Sequence, residues 1–497
     1  MRRPDQGLPG IFGHSGTLPR KTVMRYPTPF LCLALLAGPS LTAQSTWTLQ
    51  QCADRAVEKN LAVRAAELDR DIAGQDLRAA NFGFLPDLNA AATHGYNWGQ
   101  AIDRYTNTFA TDRTRTNNFW LNSSWDLFRG LRQHQVKKRS ELDVQAADEA
   151  VEAARVDVLT QVVARFMDML STRETIRATE QQAARTREQI TFTEALVEAG
   201  RLPRVDLLDL QAQLAREELD VVTNENQYDR ARLQMTQLLQ LTPQEAATFD
   251  IAAPTLAAVQ PSDPDADMVA MVERVLATHP AYQNAQLQVE SAERSIEITR
   301  TQLLPSLSFN ATVATGYSGR DIVTVGDPII GEPTQIGFTE GGENVYTPNI
   351  QYETETRDFG DQLDRNLNYS ASWTLSVPLF NQMSNRTAAA QARIRYEQAR
   401  VRMSDQRIQL ELTVQQALND QRAAYRQYLA AERAVNAQQA SLAFTEERFE
   451  QGTATALDLT TAKANLQRSQ ADQIGARYNY LMAKKSLDIL QGLPLEL

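Results

Sequence analysis

Cysteine, histidine and long apolar runs are scarce in this chain of 497 residues, which has two cysteines and four histidines. After the N-terminal segment, no apolar run reaches the roughly 18 to 20 residues that a transmembrane helix needs. The histidines are scattered without a His-x-x-x-His pair, and no glycine-rich phosphate loop occurs. We therefore predict no enzyme activity, no cofactor and no metal site.

An excess of basic charge is also missing. Lysine and arginine number 50 against 61 acidic residues, which gives a net charge of -11. Proteins that bind nucleic acids carry a basic patch that replaces the counterions of the phosphates. We expect no nucleic-acid partner.

The N-terminus has the pattern of an export signal. Two basic residues precede an apolar stretch over 30–37, and small residues follow up to Ala43. This order is typical of a cleaved signal peptide, and the apolar stretch is too short for a membrane anchor. We predict a leader over 1–43, whose removal leaves Cys52 as the only cysteine and excludes an intramolecular disulfide.

The rest of the sequence repeats itself. Gly200–Leu207 recurs as Gly452–Leu459, and Trp125–Phe128 recurs as Val377–Phe380. In both copies the glycine follows the phenylalanine by 72 residues, which indicates a rigid rod between them. We divide the chain into a leader (1–43), a first structural repeat (44–245), an inter-repeat equatorial segment (246–268) and a second structural repeat (269–497).

Three helices are predicted in one repeat. They run from about Leu49 to Asn81, from Gly130 to about Glu198, and from about Arg204 to Leu241. At 1.5 Å per residue the middle helix spans on the order of 100 Å, and the two others span about 50 and 55 Å. One long helix beside two short helices placed end to end therefore predicts the wall of a tube. The stretch 177–189 has no large apolar residue, so it is either a solvated coiled-coil arm or a helix wetted on both sides.

Four tracts alternate between apolar and polar residues, as β-strands do. They lie at about 85–98, 117–128, 304–317 and 366–380, and each is long enough for a tilted strand that crosses a bilayer. Serine, asparagine and threonine dominate their polar faces, as suits a wet lumen, and aromatic residues lie near their ends, as in interfacial girdles. The girdle candidates are Tyr96, Trp98, Trp120, Tyr317, Tyr369 and Trp373. Four strands cannot close a barrel in lipid, so two or three chains must share one.

Several of these motifs resemble the TolC-type outer-membrane efflux protein family. They are the opening Trp47–Ala53, the Leu-Pro pairs at the starts of the strands, Val377–Phe380 at a strand end, and the turn Gly452–Asp458. The resemblance implies a mostly α protein with a membrane β-barrel, formed as a homotrimer with a 12-stranded outer-membrane barrel and a 12-helix periplasmic α-barrel tunnel. It also implies the exit duct of a tripartite efflux or type I secretion system in the outer membrane of a Gram-negative bacterium. The implied partners are a periplasmic adaptor, an inner-membrane pump of the RND or ABC type, and outer-membrane lipid.

The resemblance also orients the chain. It implies that the turns at Gly200 and Gly452 form the periplasmic tip, where adaptors dock and the duct is closed at rest. The segments 98–117 and 318–364 become extracellular loops, and the second is enlarged by an insertion in the second repeat.

A ring of acidic residues lines the closed tip in this family. Asp458 matches a ring aspartate, whereas Thr461 stands where a second acid is expected. Asp206 and Asp209 occupy the matching turn of the first repeat. These carboxylates have a second interpretation, because Thr455 and Asp458 have capping-box spacing and acids are favoured in a first helical turn.

Two other functions remain open from the residues. An exported coiled-coil scaffold without a pore would also contain long helices, but it has no need of four membrane-length strands with polar faces. A soluble exported hydrolase would need a catalytic site, which the sequence does not supply.

Overall fold

The structure is a computed structural model that describes residues 45–110, 113–252 and 267–495. The predicted leader over 1–43 lies outside the described residues, and so does most of the predicted equatorial segment 246–268.

The described residues form ten α-helices and ten β-strands. The helices are α1 (Leu49–Lys59), α2 (Leu61–Phe82), α3 (Arg132–Glu198), α4 (Arg204–Leu238), α5 (Pro243–Thr248), α6 (Met268–Thr278), α7 (Pro280–Arg300), α8 (Phe359–Arg365), α9 (Ser384–Glu450) and α10 (Ala456–Leu490). The strands are β1 (Ser45–Trp47), β2 (Asn89–Asn97), β3 (Ala101–Ile102), β4 (Phe109–Ala110), β5 (Thr114–Arg129), β6 (Phe249–Ile251), β7 (Ser306–Ser318), β8 (Ile322–Phe338), β9 (Asn344–Thr356) and β10 (Asn368–Ser376).

The duplication is visible in the helix lengths. The long helices α3 and α9 each have 67 residues, and α4 and α10 each have 35. Both long helices begin after a residue in the left-handed region, Leu131 in the first copy and Met383 in the second. At 1.5 Å per residue each long helix spans about 100 Å.

The first predicted helix, from Leu49 to Asn81, is wrong in one respect, because Asn60 interrupts it. The backbone of Asn60 is extended, its N–H donates to Ala56 O, and its side chain accepts a hydrogen bond from Ala62 N. Asparagine competes with the helix by such local hydrogen bonds and is a favoured N-cap. His279 divides α6 from α7 in the same way.

Four strands form one antiparallel sheet in the order β10-β7-β5-β2. Two of its strands are shorter than the alternating tracts predict. β2 starts at Asn89 instead of residue 85, and β10 ends at Ser376, two residues before Pro378. Proline has no N–H to give to a strand ladder, so the residues around Pro86 and Pro378 leave the sheet.

The largest hydrophobic core lies where α1, α3, α4 and α10 meet the small parallel pair β1-β6. The α1 side of this core is built of small residues, Cys52, Ala53 and Ala56, which are at most 1% exposed. Such residues let two helices approach closely, and the large side chain of Phe166 on α3 belongs to the same core.

The insertion in the second repeat is not a plain loop. Residues of the predicted loop 318–364 form the antiparallel hairpin β8-β9, followed by most of the short helix α8. The consecutive residues Ile322, Val323, Thr324 and Val325 are all β-branched, a composition that favours strands. Within the predicted loop 98–117, the short pair β3-β4 forms and β5 begins at Thr114.

Candidate functional site

The four-stranded sheet has one apolar and one polar face. Residues opposite each other in the register share a face. One face therefore carries Leu307, Phe309, Ala311, Val313, Phe119, Leu121, Trp125, Ala371, Trp373 and Leu375. The other carries Ser306, Ser308, Asn310, Thr312, Asn118, Asn122, Ser124, Ser370, Ser372 and Thr374.

Four of the predicted girdle residues belong to the apolar face, and three of these four are exposed. Tyr96, Tyr369 and Trp373 are 40%, 71% and 67% exposed in the single chain. Trp373 packs against Phe309 in a tilted arrangement, with 5.1 Å between the ring centroids. These three aromatic side chains are therefore exposed on the apolar face of the single chain.

The other three candidates are placed differently. Trp120 pairs with Ala91 and Ala314, so it lies on the polar face. Tyr317 is only 6% exposed, because Phe359 of α8 and the guanidinium of Arg115 cover its ring. Trp98 is exposed but lies just beyond the end of β2. Strand alternation already places Trp120 on the face opposite Phe119 and Leu121, but it cannot show which side chains cover the end of a strand.

The two glycine turns have the same conformation. Gly200 and Gly452 have φ values of 69° and 72°, which favour glycine because it has no Cβ. In each turn the residue after the glycine donates to a carbonyl one turn back in the preceding long helix, Arg201 to Leu196 and Thr453 to Arg448, both at 2.9 Å. These hydrogen bonds satisfy carbonyls at the helix end and fix a tight reversal.

Asp458 is part of a capping box in the structure. Its carboxylate accepts hydrogen bonds from Thr455 N at 2.9 Å and from Thr455 Oγ1 at 2.7 Å, and its own N–H donates to Thr455 Oγ1 at 3.2 Å. The backbone hydrogen bond from Thr455 is the largest cause that holds the pKa of Asp458 below its usual value. Asp458 is exposed, so capping leaves it accessible to ions.

The remaining tip candidates do not repeat this arrangement. Asp206 is the residue of α4 that corresponds to Asp458, but its N-cap is Pro203, which has no side-chain hydrogen bond to offer. Asp209 and Thr461 are each the sixth residue of their helix and are exposed. We predicted that Asp209 lies in the first helical turn, and this prediction is wrong. The first turn ends within four residues of Arg204, so Asp209 lies in the second turn.

The polar stretch 177–189 of α3 packs against its neighbours through small polar residues. Thr179, Gln182, Ala183 and Thr186 are all at most 9% exposed. Gln182 donates at 3.4 Å to the carboxylate of Glu217 on α4, which is 1% exposed. This stretch is therefore not a fully solvated arm in the single chain.

A basic groove between α3 and α10 was not found by sequence reasoning. It encloses about 480 Å³, and Arg173, Arg177, Arg185 and Arg477 line it. Glu174 accepts hydrogen bonds from Arg477 at 3.0 Å and from Tyr478 at 2.7 Å, so α3 and α10 are joined across the groove. The spacing of four and eight residues among the α3 arginines is a usable signal, but only the structure brings Arg477 opposite them.

No helix in the described part of the chain is both long enough and apolar enough to cross a membrane. Within the same residues, no group of three or more histidine, cysteine and acidic side chains is arranged to hold a metal ion.

A duplicated set of long helices joined to a sheet with one apolar and one polar face is the architecture expected of an outer-membrane channel protein. The chain belongs to the outer membrane efflux protein family, which it matches over residues 52–240 and 271–493. The predicted family is thereby confirmed. Members of this family are channels and not enzymes, and the chain is an outer-membrane efflux or secretion channel of a Gram-negative bacterium, with a periplasmic extension.

Individual relatives are distant. TolC of Vibrio cholerae is 25% identical over 172 residues, which are 35% of this chain and 39% of that protein. The alkaline protease secretion protein AprF of Pseudomonas aeruginosa is 24% identical over 439 residues, which are 86% of this chain and 81% of that protein. The crystal structure of VceC from Vibrio cholerae has a TM-score of 0.70 at 15% identity, and the match covers 90% of this chain and 97% of that one. At that identity the structural likeness shows the fold alone.

Proposed function

We propose that three copies of the chain form the exit duct of a tripartite efflux or type I secretion system. The open four-stranded sheet with two different faces carries this proposal. Its edge strands, β2 and β10, have nine residues each and no further strand beside them among the described residues. An unpaired strand edge is not tolerated in lipid, so the edges need partners from other chains.

The strand directions are compatible with such closure. Each neighbouring pair in the order β10-β7-β5-β2 is antiparallel, so β10 and β2 run in opposite directions. Pairing β2 of one chain with β10 of the next therefore continues the antiparallel sheet. Three chains give 12 strands, with the apolar face toward lipid and the serine, asparagine and threonine face toward a wet lumen.

The partners belong to the same proposal. The turns at Gly200 and Gly452 would meet a periplasmic adaptor, and an inner-membrane pump of the RND or ABC type would drive transport. The name of AprF, an alkaline protease secretion protein, supports secretion as one version of this function. Asp458 and Asp206 would face each other across the three-fold axis of the tip and favour cations there.

Single-channel recording in planar bilayers tests the duct. Oligomer extracted from outer membranes should insert and give small currents that prefer cations, and its mass should correspond to three chains. Inserted oligomer that never conducts would favour the alternative, an exported scaffold without a pore. A conducting dimer would retain the pore and reject the 12-stranded barrel.

A further inference from the structure

The loop between β2 and β5 folds back over the polar face of the sheet. We call residues 98–110 the mouth loop. Its Tyr105 donates a hydrogen bond from Oη to Asn118 Oδ1 at 2.6 Å, and Asn118 lies on the polar face, opposite Gly316. Tyr105 therefore reaches from the loop across two strands.

Gly316 makes room for Tyr105. A Cβ atom added to Gly316 would lie 1.8 Å from Tyr105 Oη and 2.3 Å from Cζ. Those distances are far below van der Waals contact, so the aromatic ring occupies the place where any other residue would put its side chain. This contact between Tyr105 and Gly316 depends on the position of the mouth loop, and the pairing of the strands alone does not produce it.

A second contact fastens the loop to the same strand. Asp103 is 5% exposed, and its carboxylate accepts a hydrogen bond from the hydroxyl of Ser318, the last residue of β7. The same carboxylate accepts from the backbone N–H groups of Tyr105 at 2.9 Å and Thr106 at 3.0 Å. Such a turn, centred on one aspartate, holds the loop backbone in a single conformation.

The aspartate is held in its charged form. Burial by itself raises the pKa of Asp103, but the hydrogen bonds from Ser318, Thr106 and Tyr105 outweigh it, so the pKa is lowered overall. A buried carboxylate with several donors is a stable anchor, and losing a donor costs more than losing an exposed contact. The loop is therefore fixed by two independent contacts, one aromatic and one charged.

Ser318 is also held from the side of α8. Its backbone N–H donates to Gln362 Oε1 at 2.9 Å, and Gln362 Nε2 donates to Ser318 O at 3.1 Å. Phe359 of the same helix covers Tyr317 on the apolar face. The end of β7 is thus contacted on both faces, by the mouth loop on the polar face and by α8 on the apolar face.

We propose that the mouth loop is a selectivity constriction at the outer opening of the duct. This inference rests on the proposed function, because the polar face lines a lumen only if the barrel closes. Each chain then contributes one loop, in which Tyr105 narrows the passage and the exposed Arg104 places a positive charge beside it. The opening would restrict bulky solutes and oppose the cation preference of the tip.

The test uses variants of the Tyr105 contact and of the charge of Arg104. Tyr105→Ala removes the ring and its hydrogen bond, and it should raise single-channel conductance. Arg104→Glu changes only an exposed charge, and it should shift the reversal potential in a salt gradient toward stronger cation preference. Phe359→Ala is the matched control, since it removes an aromatic ring from the same strand end on the opposite face and should change neither quantity.

A labelling experiment covers the case in which Tyr105→Ala does not assemble. Arg104→Cys keeps the loop contacts, and a bulky, membrane-impermeant thiosulfonate added on the loop side should reduce the current. The native Cys52 is fully buried and should not react, and Phe359→Cys serves as the labelled control. Wild-type oligomer that does not conduct would overturn the proposed duct. Wild-type conduction with no change of conductance, reversal potential or current in the mouth-loop variants would overturn the constriction and leave the duct in place.

Discussion

Phe166 lies at the centre of the largest core, so its truncation measures how much that core stabilises the chain. The side chain is 1% exposed and belongs to the cluster shared by α1, α3, α4 and α10. The residues that α1 contributes to this core are small and buried, so they offer no side chain long enough to fill the void. Phe166→Ala should therefore lower the free energy of unfolding by about 3–5 kcal/mol.

The loss converts into a modest thermal shift. Unfolding entropy is about 2.1 cal/mol/K per residue, so a chain of this length loses about 1 °C of melting temperature per kcal/mol. We expect Phe166→Ala to melt about 3–5 °C below wild type. Helical circular dichroism of detergent-solubilised protein, followed during heating, measures this shift.

A graded variant separates a cavity from other causes. Phe166→Leu leaves most of the volume filled and should lose less than half as much, about 1 °C. Equal shifts for the alanine and leucine variants would refute the packing argument. A shift below about 1 °C for alanine would show that the core relaxes around the missing ring.

Three further predictions concern the tip, the thiol and one histidine. Asp458→Asn should weaken cation preference in single-channel recordings, whereas Thr455→Ala, which removes the cap and keeps the carboxylate, should not. If the two variants have the same cation preference, the role of Asp458 is limited to capping the helix. Burial raises the pKa of the Cys52 thiol to about 12, so iodoacetamide should modify Cys52 only after denaturation, and rapid labelling of folded protein would contradict the buried position. Burial lowers the pKa of His279 below 6.5, against a smaller opposing effect of Asp157. The unfolded junction then binds the proton more readily, so the stability of the α6–α7 junction is complete above pH 6.5 and falls as the pH drops toward the folded pKa. Hydrogen exchange at this junction, corrected for intrinsic rates, should rise on acidification in wild type and stay flat in His279→Asn, which caps without titrating.

Much of the fold follows from local patterns. The equal spacing from Phe128 to Gly200 and from Phe380 to Gly452 predicted helices of equal length, and α3 and α9 have 67 residues each. Capping at Thr455 and Asp458 was also readable, because a capping box involves residues only three positions apart. These features depend on interactions within one or two helical turns, which the sequence contains in full.

The candidate site was only partly readable for a physical reason. Alternation separated the faces of the strands and by itself puts Trp120 on the face opposite Phe119 and Leu121, but it cannot show that α8 covers Tyr317. The girdle, the tip ring and the domain boundaries stay predictions.

The sequence by itself determined the duplicated rods, the turns at Gly200 and Gly452 and the two-faced strands, because periodicity and backbone preference are local properties. Only the tertiary structure decided that Tyr105 occupies the space above Gly316 and that Asp103 is fastened to Ser318. Arg173 and Arg477 likewise meet in one groove only after folding. Residues separated by hundreds of positions come together through the packing of whole elements, and no local pattern encodes that distance.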